Sequence, residues 1–141
     1  MTQRPDLDGC KLQKAGEPDV WLIFHGHRHR ITSPSAFCSL FSTADDLMTV
    51  DCTDTIKVGP DVQEGSFLAR PDGSLDIYLV LRIFPDYLIR HHIPNWETFC
   101  DFGFDEAKLR IVPAVMLTTL PGGGDITSPR GRVAMDSALP V

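Results

Sequence analysis

Arg28-His29-Arg30-Ile31, with Phe37-Cys38 six residues beyond, returns as Arg90-His91-His92-Ile93 with Phe99-Cys100. Leu47 and Val50 return as Leu109 and Val112, and every one of these pairs is separated by 62 positions. Residues 28–58 thus share seven identities with their shifted counterparts, where ordinary residue usage yields about two by chance. Upstream the spacing shrinks. Val20-Trp21-Leu22-Ile23 matches Ile77-Tyr78-Leu79-Val80 in character at an offset of 57, and Gly9 and Leu12 match Gly65 and Leu68 at 56. The difference falls at one place, where Phe24-His25-Gly26-His27 is opposed by a longer connection around Phe84-Pro85-Asp86-Tyr87. Insertions collect in hairpin loops, so the gap itself argues for the alignment.

Each unit begins with a short strand near Leu12 or Leu68 and turns at Ala15-Gly16-Glu17-Pro18 or Pro71-Asp72-Gly73-Ser74. A strand at Trp21 or Tyr78 follows, then a hairpin partner ending at Ile31 or Ile93. β-Branched and aromatic residues bounded by Gly, Pro and Asp carry this reading. Helix signals come next. Ser33 precedes Pro34 as an N-cap, and Asn95 is the equivalent cap before Trp96-Glu97. Thr43 and Asp105 are predicted to cap a second short helix in each unit. Apolar segments at 53–58 and 113–120 close the units, stopped by Gly59-Pro60 and by Pro121-Gly122-Gly123-Gly124.

The predicted fold class is therefore α+β: two tandem β-hairpin-plus-short-helices repeats related by a pseudo-two-fold axis. Their strands form either one antiparallel sheet or two packed small sheets. An N-terminal arm covers 1–8, the first unit 9–64, the second 65–126 and a Ser-, Pro- and Arg-containing tail 127–141. An isolated hairpin is marginal in water, so the two units are expected to share a core. The tail reads as a truncated third copy, a partner-binding arm or a disordered end.

A net charge of -6 repels polyanions, so nucleic acid is not an expected partner. The longest apolar runs, such as Ile77-Tyr78-Leu79-Val80-Leu81, are far shorter than the roughly 20 residues that cross a bilayer, so no membrane insertion is expected. Residues 1–9 carry charge without an apolar run and read as no secretory signal, so cytoplasmic synthesis is expected, with export by a specialised route and association with a particle both left open. Cys10, Cys38, Cys52 and Cys100 form no CxxC pair. Buried reduced thiols and, for an exported form, two disulfides both fit this spacing. Cys38 and Cys100, each following a Phe, read as small core residues.

The pattern resembles a repeat that recurs in bacterial surface and secreted proteins, of the form VYLIxxGxRRxIPxxxxFxxxGF. It is carried here by Val20-Trp21-Leu22-Ile23, Arg28-His29-Arg30-Ile31 and Phe37, and again by Ile77-Tyr78-Leu79-Val80, Arg90-His91-His92-Ile93-Pro94, Phe99 and Gly103-Phe104. The resemblance implies an accessory module with a binding or spacing role, and it carries over no catalytic residue.

The residues themselves supply the candidate chemistry. Arg28, His29, Arg90 and His91 are the polar identities of the two units. They read either as struts that bond backbone carbonyls or as a bivalent pocket for carboxylates, phosphates or sugar hydroxyls. Trp96 and Tyr87 are placed where stacking on a sugar ring or a partner surface is feasible, whereas Trp21 and Tyr78 read as core. His25, His27 and His29 alternate along a strand and form a candidate set of metal ligands, although His25 and Gly26 belong to the turn. No nucleophile elbow, paired acids, phosphate loop or zinc-protease helix is recognised, so no enzyme and no cofactor are expected. The expected function is a binding module for a glycan or other surface polymer. The alternative is a structural subunit of a larger bacterial or phage assembly that oligomerises or docks on a protein partner.

Overall fold

A computed structural model describes residues 1–83 and 86–137. A 3-10 turn at Pro5–Leu7 leads into β1 (Lys11–Lys14), β2 (Val20–Phe24), β3 (His27–Ile31), α1 (Pro34–Cys38) and β4 (Met48–Val50). A second series follows: β5 (Phe67–Pro71), β6 (Ile77–Ile83), β7 (Tyr87–Ile93), α2 (Trp96–Phe102), a 3-10 turn at Glu106–Lys108, β8 (Arg110–Val112), α3 (Ala114–Thr118) and α4 (Pro129–Ser137). Phe84 and Pro85, in the longer hairpin connection, lie outside the described residues.

Two four-stranded sheets result, in the orders β3-β2-β1-β4 and β7-β6-β5-β8. They are mixed, which corrects the expectation of purely antiparallel pairing. The hairpin strands are antiparallel, but β4 joins β1 in parallel and β8 joins β5 in parallel. The reason is the crossover: after the hairpin the chain passes through a helix before returning to the far edge of the sheet, and such a return arrives parallel. The register also corrects one alignment. Leu12 pairs with Trp21, while Tyr78 pairs with Ala69 rather than Leu68, so the matching of Leu12 to Leu68 at an offset of 56 does not hold in the strand register.

Alternation along the strands sets the layers. Leu22 and Phe24 of β2, Ile31 of β3, Leu79 and Leu81 of β6 and Ile93 of β7 all enter one central core, together with Leu40, Phe41, Phe99, Phe102 and Phe104. The two sheets therefore bury their inner faces in common, each such side chain contributing roughly 1.5–3 kcal/mol. The outer faces carry smaller clusters. Leu12, Ile23 and Ile56 cover one sheet, and Phe67, Val80, Val112 and Leu117 cover the other.

Local signals explain most boundaries. His25 and Gly26 form the β2–β3 turn with φ of 53° and 71°, the paired positive values of a tight hairpin turn. Ser33 Oγ accepts from Ala36 N, Asn95 Oδ1 from Thr98 N and Asp105 Oδ1 from Ala107 N. The predicted helix after Thr43 is a turn instead. Its cap contact from Asp45 N is long at 3.5 Å, and the segment carries Asp46 out to a partner on β1.

That partner is Lys11, whose side chain is fully buried on the inner face of β1. Its Nζ donates to Asp46 Oδ2 and to Phe102 O, both at 2.7 Å, and lies 4.2 Å from the centre of the Phe41 ring. Lys11 thus ties the first sheet to the C-terminus of α2, where carbonyl partial charge favours a cation. Burial nonetheless lowers its pKa.

Residues 129–137 of the tail form a helix docked on the chain itself. Asn95 Nδ2 donates to Gly131 O at 2.8 Å, Ser128 Oγ to Asp101 Oδ2 at 2.6 Å, and Arg132 reaches Asp8 Oδ2 at 3.1 Å and Pro5 O at 2.7 Å. Residues 138–141 lie outside the described residues.

The cysteines correct the core expectation. Cys38, Cys52 and Cys100 are exposed, Cys10 is half-buried, and all four are free thiols. On α1 the inward face carries Ala36 with Phe37 partly buried beside it, and on α2 it carries Thr98, Phe99 and Phe102, so Cys38 and Cys100 fall on the solvent side of their helices.

Candidate functional site

Arg28 and Arg90 occupy matching places on the outer faces of the two sheets. Arg28 Nε donates to Ile56 O at 3.0 Å with its guanidinium 4.4 Å from the centre of the Trp21 ring. Arg90 Nε donates to Leu120 O at 3.2 Å with its guanidinium 6.0 Å from the Tyr78 ring. Arg28 thereby fastens the segment after β4, and Arg90 the segment after α3, to its hairpin. Trp21 and Tyr78 are half-buried under these cations on the outer faces, Tyr78 packing on the cluster around Phe67 and Val80, and Trp21 Nε1 is buried with no partner among the described residues.

His29 and His91 point the other way, into the junction between sheets. His29 Nδ1 lies 2.8 Å from Pro60 O and its Nε2 3.1 Å from Phe24 O, while the ring stacks on Phe24 at 3.6 Å. His91 Nδ1 lies 3.1 Å from Gly124 O. The glycines beside these acceptors are the seats of the rings: a Cβ on Gly59 would collide with His29, and one on Gly123 with His91. Gly122-Gly123-Gly124 is therefore more than a chain terminator, since Gly123 N also donates to Arg90 O at 2.9 Å.

His25 completes the junction. Held at positive φ, it sends Nε2 to Asp125 O at 2.8 Å and sets its ring 5.5 Å from that of His91. A cavity of about 240 Å³ opens among Phe24, His25, His29, Leu81, Ile89 and His91. Its walls are mostly apolar, with three imidazoles as the polar elements. Burial pushes His29 down to about 4, against the pull of two carbonyls that favour a charged ring, and moves His91 in the same direction. Both rings are accordingly neutral near pH 7, each with one N–H donor and one acceptor nitrogen.

The structure brings His29 and His91 together and separates them from the other candidates. Arg28 and Arg90 lie across their sheets. Tyr87, 60% exposed, starts β7, and Trp96, 50% exposed, starts α2 beyond the opposite end of that strand, stacked on Phe99. His27 turns its Nδ1 to His25 O, and among the described residues no group of three or more His, Cys, Asp or Glu is disposed to hold a metal. The cavity's apolar contributors, Phe24, Leu81 and Ile89, carried no sequence signal beyond ordinary strand alternation. Among the described residues, no helix is long and apolar enough to cross a membrane. The chain matches no protein-family model, no curated protein and no solved structure.

Proposed function

We propose that the chain is a non-catalytic binding module made of two copies of one unit, and that it holds the terminal ring of a glycan or other surface polymer between them. The duplication is supported by equivalent cross-strand pairs, Leu22 with His29 and Leu79 with His91, and equivalent parallel pairs, Lys14 with Val50 and Pro71 with Val112. It is supported further by the shared arginine-to-carbonyl bonds of Arg28 and Arg90.

The observation that carries the ligand reading is the cavity walled by His25, His29 and His91 over an apolar floor. A sugar ring offers apolar C–H faces, and this wall offers aromatic planes to stack on them, its imidazole nitrogens being turned largely to the carbonyls of Phe24, Pro60, Gly124 and Asp125. Glycan-array screening followed by calorimetry tests it. Binding is expected, and is expected to vanish in a folded Ile89→Trp variant that fills the cavity. Silence across a broad array, or unchanged affinity in Ile89→Trp, refutes the reading.

A subunit role in a larger assembly has its own support in the exposed apolar side chains of β8 and α3, Ile111, Val115 and Met116. Concentration-dependent light scattering abolished by Val115→Lys would favour that role.

A further inference from the structure

We propose that the groove beside α1 is a docking site for an aromatic side chain of a partner protein. This site is separate from the histidine cavity and does not rest on the glycan reading. The groove measures about 450 Å³ and is lined chiefly by Pro18, Val20, Ile31, Pro34, Phe37 and Ala44. Val20 and Phe37 pack on the central core yet remain partly open to solvent.

The occupant is indicated by the chain's own second helix. Both α1 and α2 start directly after a side-chain cap, Ser33 and Asn95, and both carry Phe at the fourth helical position, Phe37 and Phe99. On α2 the first helical residue is Trp96, and its indole lies flat on Phe99 with ring centroids 4.7 Å apart and planes within 12°. Phe99, which also packs into the central core, is 2% exposed. On α1 the first helical residue is Pro34, which has no ring of that reach, and Phe37 is left beside an open groove. The same scaffold thus covers its phenylalanine with an indole on one helix and leaves that place empty on the other.

The polar rim favours an aromatic side chain over a sugar. Thr32 Oγ1 donates to Val62 O, Ser33 Oγ donates to Glu64 Oε1 while capping α1, and Asp19 faces Arg30 at 3.9 Å. These groups are already engaged, so the hydroxyls of a pyranose would find few free partners, whereas a flat ring needs only the Phe37 face and the apolar walls.

Cys38 lines the groove and reports on its occupancy, while Cys52 and Cys100, exposed outside it, serve as internal controls. The test measures alkylation of each thiol by peptide mass spectrometry with N-acetyl-tryptophanamide present. At a probe concentration about twice its dissociation constant, Cys38 should react roughly threefold more slowly, with Cys52 and Cys100 unchanged. Pro34→Trp, which installs the tryptophan found on α2, should make Cys38 slow without the probe and insensitive to it. Ala44→Glu, on the exposed rim, should leave the fold intact and abolish protection. Equal rates at all concentrations up to the probe's solubility overturn the proposal. Equal protection by methyl β-glucoside overturns it in favour of a sugar subsite. Protection that grows with protein concentration alone, and is lost in Trp96→Ala, overturns it in favour of a second copy as occupant.

Discussion

Acidification tests the neutral, buried state of His29, because a base whose folded pKa is depressed takes up its proton first in the unfolded chain. The ring's ordinary value is 6.5 and burial brings it to about 4, so the unfolded state binds the extra proton throughout that interval. Stability is full above 6.5, falls as pH drops through that value, and stops falling below the folded pKa, where both states are protonated. The gap corresponds to about 3 kcal/mol, at roughly 1.4 kcal/mol per unit. No discount for solvent screening applies, since the side chain is 4% exposed. Carboxylates also titrate in this range, so the comparison is with His29→Gln, whose amide can still donate to Pro60 O but cannot ionise. Urea unfolding of both proteins across the interval should show the wild type losing about 3 kcal/mol more than the variant. His91, lowered in the same direction, is present in both and cancels. Parallel loss in the two proteins, or an imidazole signal from His29 titrating near 6.5 in folded protein, refutes the reasoning.

Lys11→Ala should cost about 3 kcal/mol or more by chemical denaturation, because it opens space beneath Phe41 and strands the Phe102 carbonyl. Asp46→Ala should cost about 2 kcal/mol, less than Lys11→Ala, since it leaves the buried ammonium with the Phe102 carbonyl as its remaining hydrogen-bond partner while the half-exposed carboxylate is itself screened; the reverse ranking would mean that the ion pair, not the helix-end contact, holds Lys11. Arg132→Ala leaves the buried Asp8 carboxylate with Gly26 N as its remaining donor, so thermal unfolding should reveal a loss of about 2–3 kcal/mol, partly restored by adding Asp8→Asn. Gly59→Ala and Gly123→Ala should each destabilise by about 1–3 kcal/mol through collision with His29 or His91. Gly122→Ala, with open space around it, should stay within about 0.5 kcal/mol in the same denaturation series.

The hairpins, the turn at His25-Gly26 and the caps Ser33, Asn95 and Asp105 were legible in the residues because each works through partners a few positions away. Alternation needs only the pleat, a tight turn needs only two residues able to take positive φ, and a cap bonds an amide two or three residues on. The cross-strand pairs Leu22 with His29 and Leu79 with His91 fall where the two predicted hairpins place them. What the residues concealed depends on distant partners. Lys11 looks like any strand lysine until Asp46, 35 positions away, and Phe102, 91 positions away, enclose its ammonium. Arg132 sits in a polar tail until Asp8, 124 positions away, meets it. The parallel arrival of β4 and β8, the exposure of Cys38 and Cys100, and the meeting of three imidazoles between two sheets likewise follow from how the elements pack. Local stereochemistry therefore determined the strands, turns and caps from sequence alone. Only the tertiary structure decided the sheet edges, the buried charges and the cavity, because desolvation and long-range pairing have no counterpart in the order of neighbouring residues.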